Sequence, residues 1–98
     1  MPTFERTRRF RREYLALSRE QREAFKRALG VFIGATRSHP PAFPRSLRVK
    51  GVQGHPGVYE MSFGDGGRAT FEYGEELRPG EAHVVWRRIG DHSIFRSP

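Results

Sequence analysis

Apolar positions recur with a helical period over the first third of the chain. Phe10, Tyr14 and Leu17 follow a capping threonine and predict a first helix that ends at Leu17. Ser18 opens a capping-box sequence, and the apolar stripe after it predicts a second helix over residues 19–37. We therefore expect a helical hairpin whose aromatic side chains lie in the core.

Beyond a proline-rich connector at residues 38–46, the apolar and polar residues alternate with the period of two that is typical of strands. The sequence "GDGG" at residues 64–67 predicts a hairpin turn, and the polar "GEELRPGEA" at residues 74–82 predicts a loop. The expected strands are short and separated by these turns: Pro2–Thr7, Leu47 with Val49, Val58–Phe63, Arg68–Tyr73 and Val84–Ile89.

Helices that precede strands predict an α+β fold, here as a single domain over residues 1–98. We expect the helical hairpin to pack on one face of a mostly antiparallel sheet of four to five strands. Alternation puts Arg68, Thr70 and Glu72 together on the polar face. Trp86 is assigned to the core, because its strand has to bury a large side chain. The polar face is then free to carry a site.

The net charge of +7 is unevenly distributed along the chain. Residues 1–50 hold 13 Lys or Arg against 4 acidic residues, a balance of +9, whereas residues 51–98 hold 5 against 7, a balance of −2. Sixteen of the 18 basic residues are Arg, which suits bidentate contact with phosphate. A GC-rich genome or a solvated helix face would also give arginines, but the imbalance as a whole indicates an anionic partner.

Several kinds of site are excluded by what the sequence lacks. Without cysteine there is no disulfide, zinc ribbon or thiol nucleophile. The four histidines are far apart and no HExxH pattern accompanies them, so we expect no metal and no cofactor. The longest apolar run, Ala28–Ala35, is far below the roughly 20 residues of a membrane span. We expect a cytoplasmic protein with no membrane partner.

Cations, a histidine near the end of the sequence and aromatic side chains are the groups that RNA cleavage without a metal requires. RNA carries its own nucleophile, so an enzyme has to orient the 2′-hydroxyl, stabilise charge on the phosphate and transfer protons. Arginine can stabilise that charge, histidine can donate to the leaving 5′ oxygen, and an exposed aromatic ring can stack on a base. The composition permits this chemistry without requiring it.

Two long segments that follow the helices, "FPRSLRVKGVQGHPGVYEMSFGDGGRATFEY" and "VVWRRIGDHSIF", resemble the RelE/ParE toxin superfamily. The resemblance spans nearly the whole chain. Members of the RelE branch are toxins of type II toxin–antitoxin modules, which enter the ribosomal A site and cut mRNA without a metal. The resemblance therefore implies an endoribonuclease with three partners: a cognate antitoxin that silences it, the ribosome and mRNA.

The resemblance also assigns site residues. The segment ahead of the first long strand holds a basic group in relatives, which implies Lys50, with Arg48 nearby. The arginine that leads the central strand contacts the scissile phosphate in relatives, which implies Arg68. The closing motif "RRIGDHSIF" implies His92 as a catalytic residue and Phe95 as a base-stacking ring, a pairing that is most similar to the YafQ-type subgroup.

The first long strand departs from the family pattern. It carries Glu60 and Ser62 where RelE has two lysines, so the identity of the general base stays open. Glu60 is a candidate base if it faces the site, and is otherwise an exposed strand carboxylate. Because Phe95 has no proton to give, the role of general acid would fall on His92 alone.

Other arginines are expected to position RNA through phosphate contacts. Strict alternation along the last strand would let only one of its two arginines reach the RNA side. The expected contacts are Arg8, Arg9, Arg12, Arg19, Arg22 and Arg27 on the helices, and Arg48, Arg87 and Arg88 beside the site.

Two functions of other classes remain open. The ParE branch shares the fold but poisons DNA gyrase by binding it, and its members generally lack the terminal histidine and aromatic pair. A catalytically silent module that binds RNA or a partner would keep the basic helices and tolerate the loss of His92. Cleavage of ribosome-bound mRNA distinguishes these alternatives.

Overall fold

A computed structural model describes residues 2–98, which form two helices and five strands. The described residues also form two short 3₁₀ helices. The elements in chain order are β1 Thr3–Arg6, α1 Arg8–Ala16, α2 Arg19–Ala35, a 3₁₀ helix Arg45–Leu47, β2 Lys50–Gly51, β3 Val58–Phe63, β4 Gly67–Arg78, β5 Glu81–Gly90 and a C-terminal 3₁₀ helix His92–Arg96.

Local capping explains where both α-helices begin. The Thr7 hydroxyl accepts a hydrogen bond from the Phe10 N–H at 3.0 Å. At α2 the Ser18 hydroxyl accepts from the Gln21 N–H at 3.1 Å, and the Gln21 side-chain oxygen accepts from the Ser18 N–H at 3.1 Å. This reciprocal capping box satisfies amide groups that the first helical turn leaves without partners. The predicted hairpin is confirmed.

The five strands form one sheet in the order β1-β5-β4-β3-β2. The pairs β2–β3, β3–β4 and β4–β5 are antiparallel, whereas β1 lies parallel to β5 at one edge. Helix α1 packs against β5 and α2 against β3, which puts the hairpin on one face of the sheet. The α+β fold and the mostly antiparallel sheet expected from the sequence are confirmed.

The core between helices and sheet is aromatic. The ring centroid of Trp86 lies 5.2–6.1 Å from those of four phenylalanines, one on β4 and three on the helices. All five side chains are at most 4% exposed, and the assignment of Trp86 to the core is confirmed. This cluster fixes the helices against the sheet and leaves the opposite face uncovered by them. The phenylalanines are Phe10, Phe25, Phe32 and Phe71.

Two expectations about strands are wrong. The segment 74–82 is not a loop, because β4 continues to Arg78 and β5 begins at Glu81, with a tight turn at Pro79 and Gly80. Leu47 ends a 3₁₀ helix, and the strand that follows is only Lys50–Gly51. Cross-strand pairing overrides the turn-like composition in the first case. In the second case the 3₁₀ helix and the left-handed backbone at Arg48 interrupt the extended run before Lys50.

Candidate functional site

A cleft of about 470 Å³ opens on the polar face of the sheet. It lies between the short edge strand β2, the strands β3 and β4, and the C-terminal 3₁₀ helix. The structure brings together here the five residues that the resemblance singled out for the site and Glu60, the candidate base. The predicted residues that line the cleft are Arg48, Lys50, Glu60, Arg68, His92 and Phe95.

Sheet register determines the floor of the cleft. Lys50 on β2 lies directly opposite Glu60 on β3, and Ser62 lies opposite Arg68 on β4. Residues directly opposite each other point to the same face, so these four side chains share the polar face. Glu60 is only 9% exposed. A carboxylate is therefore held at the base of the cleft beside two cations.

Three cations line the cleft beside Glu60. The Arg68 guanidinium is half-buried and its Nη1 donates a hydrogen bond to the Gly67 carbonyl at 2.8 Å. Arg48 ends the first 3₁₀ helix with φ of +49°, a left-handed conformation that is uncommon for a residue with a side chain. No carboxylate lies within 4.0 Å of the charged groups of Arg48, Lys50 or Arg68 in residues 2–98. Their charge is available to a ligand.

His92 and Phe95 form one wall of the cleft from the C-terminal 3₁₀ helix. Their ring centroids are 5.0 Å apart and the rings are edge to face, with an interplanar angle of 87°. His92 is exposed and Phe95 is half-buried. This geometry gives the cleft a titratable ring and an apolar ring side by side, which suits a base and an adjacent phosphate group.

The 3₁₀ helix is capped and anchored. The Asp91 carboxylate accepts from the Ser93 N–H at 2.8 Å, and hydrogen bonds from the Ser93 side chain and backbone lower the pKa of Asp91. Ile94 is 2% exposed and packs over Gly90, where an added Cβ would lie 3.0 Å from its Cγ2. Gly90 thus permits the close approach of Ile94. Because Gly90 pairs with Arg68 across the sheet, this contact seats the 3₁₀ helix beside Arg68.

The arginines of β5 are committed to contacts inside the protein. Arg88 Nη2 lies 2.6 Å from Glu13 Oε2, and both side chains are less than a quarter exposed. Arg87 Nη1 lies 3.1 Å from Glu72 Oε2. In addition, Arg88 Nη1 donates a hydrogen bond to the Ser97 carbonyl at 3.2 Å, and Arg87 Nε donates one to the Pro98 carbonyl at 3.0 Å. These two bonds fix the segment after the 3₁₀ helix against β5. Their contact with RNA stays a prediction.

Strict alternation does not hold along this part of β5. The register shifts between Thr70 and Phe71, which pair with Arg88 and Trp86 and leave Arg87 as an extra residue on β5. A bulge of this kind bends the strand and redirects a side chain. The expectation that Arg87 and Arg88 point to opposite faces of the strand is wrong, because both side chains line one cleft, a second one beside the C-terminal residues.

Most of the helix arginines expected to contact RNA are exposed. Arg22 differs: it is half-buried, and its Nη1 donates to the carbonyls of Leu17 at 2.8 Å and Leu15 at 3.3 Å. It therefore satisfies orphan carbonyls at the end of α1. The exposed ones are Arg8, Arg9, Arg12, Arg19 and Arg27.

Sequence reasoning missed two parts of the molecule. Val52 and Gln53 also line the cleft, and the quoted stretch "KGVQG" already contained them next to Lys50. His83 is buried, with Nδ1 2.7 Å from Thr3 Oγ1 and Nε2 2.8 Å from Glu5 Oε1. No local signal points to this cluster, because its members are about 80 residues apart in sequence.

Comparison with solved structures identifies the fold. One chain in the crystal structure of the E. coli DinJ-YafQ complex superposes with a TM-score of 0.64 over 95% of this chain and 96% of that chain. The two sequences are 12% identical, so the likeness establishes a shared fold. No protein-family model matches the sequence, and no curated protein matches it.

Within residues 2–98 no three His, Cys, Asp or Glu side chains are grouped so that they could hold a metal ion. None of the described helices is long and apolar enough to cross a membrane.

Proposed function

We propose that this protein is the toxin of a type II toxin–antitoxin system and cleaves mRNA on the ribosome. The observation that carries the proposal is the cleft in which unpaired cations, a carboxylate, an imidazole and an aromatic ring converge. The fold shared with a chain of the DinJ-YafQ complex supports the proposal, because the RelE-like motifs of the sequence imply a fold of this kind.

The proposed reaction uses the nucleophile that RNA supplies. The 2′ oxygen attacks the adjacent phosphorus as the bond from phosphorus to the 5′ oxygen breaks, which leaves a 2′,3′-cyclic phosphate and a 5′-hydroxyl. Glu60 accepts the 2′ proton and the His92 imidazolium donates a proton to the leaving oxygen. Lys50 and Arg68 stabilise charge on the phosphate oxygens, and Phe95 stacks on the neighbouring base.

Glu60 is our choice of general base because of its position in the sheet. It is buried at the floor of the cleft, directly opposite Lys50 and on the same face as Arg68. A carboxylate at the floor of the cleft, beside the cations that would hold the phosphate, is placed to accept a proton from the 2′-hydroxyl. Replacement of Glu60 by Gln should abolish base function while it keeps the shape of the side chain, so cleavage falls and RNA binding is retained.

Purified translation complexes test the function directly. Ribosomes stalled on a defined mRNA are incubated with the full chain, and the RNA ends are mapped by primer extension. We expect a cut within the A-site codon and a cyclic phosphate at the upstream end. Intact mRNA together with inhibited gyrase would move the assignment to the ParE branch, and ribosome binding without a cut would indicate a silent binding module.

We also propose that an acidic or amphipathic antitoxin covers the polar face of the sheet. Exposed arginines on both helices and the unpaired cations of the cleft favour a partner of opposite charge. Co-expression with small open reading frames from the neighbourhood of the gene should yield a stable complex and restore growth. If no neighbouring product binds or rescues, control by an antitoxin is wrong.

The exposed helix arginines are proposed to hold ribosomal RNA, in a role separate from chemistry. They lie on the two helices, outside the first cleft. Contacts of this kind position a protein without reading sequence, and each contributes to the salt dependence of binding. Ribosome association should therefore weaken when several of them are neutralised together.

A further inference from the structure

A second cleft of about 450 Å³ lies next to the first, beyond the β2–β3 turn and the C-terminal 3₁₀ helix. It is formed where the start of α1 meets β5 and the last residues of the sequence. None of its basic residues lines the first cleft. The basic side chains that line it are Arg9, His55, Arg87, Arg88 and Arg96.

The two clefts share two walls. The turn between β2 and β3 contributes Gln53 to the first cleft and His55 to the second. The C-terminal 3₁₀ helix contributes Phe95 to the first and the adjacent Arg96 to the second. A bound strand that leaves the first cleft past Phe95 therefore reaches the second cleft next.

The cations of the second cleft fall into two groups. Arg87 and Arg88 are neutralised by Glu72 and Glu13. Arg9 and Arg96 are exposed, and no carboxylate in residues 2–98 lies within 4.0 Å of their charged groups. The paired arginines build the wall, and the unpaired ones keep donors free for a ligand. A guanidinium presents a fork of N–H groups that matches phosphate oxygens.

We propose that the second cleft is a phosphate subsite for the RNA strand that continues out of the first cleft. Arg9 and Arg96 bind a phosphodiester outside the reacting dinucleotide, and His55 borders the same phosphate. The identification of the ligand as RNA rests on the proposed function. The subsite itself rests on the shared walls and on the two unpaired guanidinium groups.

Binding of uncleavable 2′-O-methyl RNA tests the subsite. Fluorescence anisotropy is measured over a range of NaCl concentrations with a labelled trinucleotide and a labelled dodecanucleotide of mixed sequence. Arg9→Gln and Arg96→Gln should each weaken dodecanucleotide binding and reduce the slope of log K against log salt by about 0.7, the value for one lost phosphate contact on a single strand. Binding of the trinucleotide, which fills only the first cleft, should not change.

Arg11→Gln is the matched control, because Arg11 is exposed on the same helix, lines neither cleft and is not among the proposed RNA contacts. It should leave both probes unaffected, and thermal melts confirm that all three variants fold. An unchanged slope in Arg9→Gln and Arg96→Gln, or an equal loss in Arg11→Gln, would overturn the subsite. So would a loss of antitoxin binding in these variants without a loss of RNA binding.

Failure of the subsite and failure of the proposed function give different results. If wild-type protein cuts ribosome-bound mRNA but the salt slopes do not change, only the subsite is wrong. If wild-type protein leaves mRNA intact while the length-dependent slopes do change, the ribonuclease assignment is wrong and the phosphate subsite stands.

Discussion

Two histidines of this protein occupy opposite kinds of environment. His83 is 4% exposed, and each ring nitrogen has a partner on the edge strand β1, Thr3 at 2.7 Å and Glu5 at 2.8 Å. His92 is exposed, touches Phe95 edge to face, and makes no hydrogen bond through its ring within the described residues. The first ring holds β1 to β5, and the second has both nitrogens free for a substrate.

The same contrast separates the arginines. Arg88 forms a short ion pair with Glu13 and ties α1 to the end of β5, whereas Arg68 meets no carboxylate within residues 2–98 and lines the cleft. Burial with satisfied partners indicates a structural role, and an unsatisfied polar group in a concave site indicates a ligand. The residue type alone would not have distinguished the two roles.

The largest expected effect is on chemistry at His92. His92→Gln keeps size and some hydrogen bonding but removes the titrating group, so cleavage should fall by on the order of a hundredfold or more. Folding and ribosome binding should survive. Single-turnover cleavage of ribosome-bound mRNA measures the loss, and a variant that cuts at the wild-type rate would show that the free ring nitrogens are not used.

Arg68→Ala should lose comparable activity for a different reason, because it withdraws charge from the phosphate rather than a proton from the leaving oxygen. A substrate with a 5′-phosphorothiolate leaving group needs little protonation. It should restore cleavage by His92→Gln but not by Arg68→Ala. Equal failure of both variants on this substrate would remove His92 from the role of general acid.

The same substitution at the other histidine should give the opposite result. His83→Gln loses at least one of two hydrogen bonds made by a buried ring, so the free energy of unfolding should fall by about 1–3 kcal/mol. Cleavage per folded molecule should stay at the wild-type value. Denaturant unfolding measures the first quantity and active-site titration the second, and loss of cleavage without loss of stability would contradict the structural role of His83.

The smallest expected effect concerns the hydrogen bond from the Ser93 N–H to the Asp91 carboxylate, which caps the 3₁₀ helix that carries His92. Hydrogen bonds from Ser93 lower the pKa of Asp91, so the cap is strongest when the carboxylate is ionised. Its contribution is present at neutral pH and is lost as the pH falls through the lowered pKa. The Ser93 amide resonance should titrate with a midpoint below that of an ordinary aspartate, and Asp91→Asn should remove the titration. A midpoint above the ordinary value would contradict this.

Much of the fold was predictable because its signals are local. The caps at Thr7 and Ser18 depend on contacts three residues apart, and the apolar stripe of α2 repeats within a few turns. The polar face of β3 and β4 followed from alternation, because no bulge interrupts the pairing of these two strands. The resemblance, rather than any spacing, supplied the residues of the cleft.

The features that were not predicted depend on distant pairing. The continuation of β4 through residues 74–78 is stabilised across the hairpin, which composition does not report. The bulge at Arg87 depends on the register of β4, and the partners of His83 depend on β1 lying parallel to β5. Long-range register of this kind is not visible in a sequence read one segment at a time.

Trp86, the only tryptophan in the sequence, gives this protein a built-in optical reporter. Its indole is 2% exposed within the phenylalanine cluster, on the face of the sheet opposite the cleft that Phe95 lines. Its emission should therefore follow unfolding of the core and stay constant when RNA stacks on Phe95. Folding and RNA binding can then be recorded in the same sample, one from the tryptophan and the other from a label on the RNA.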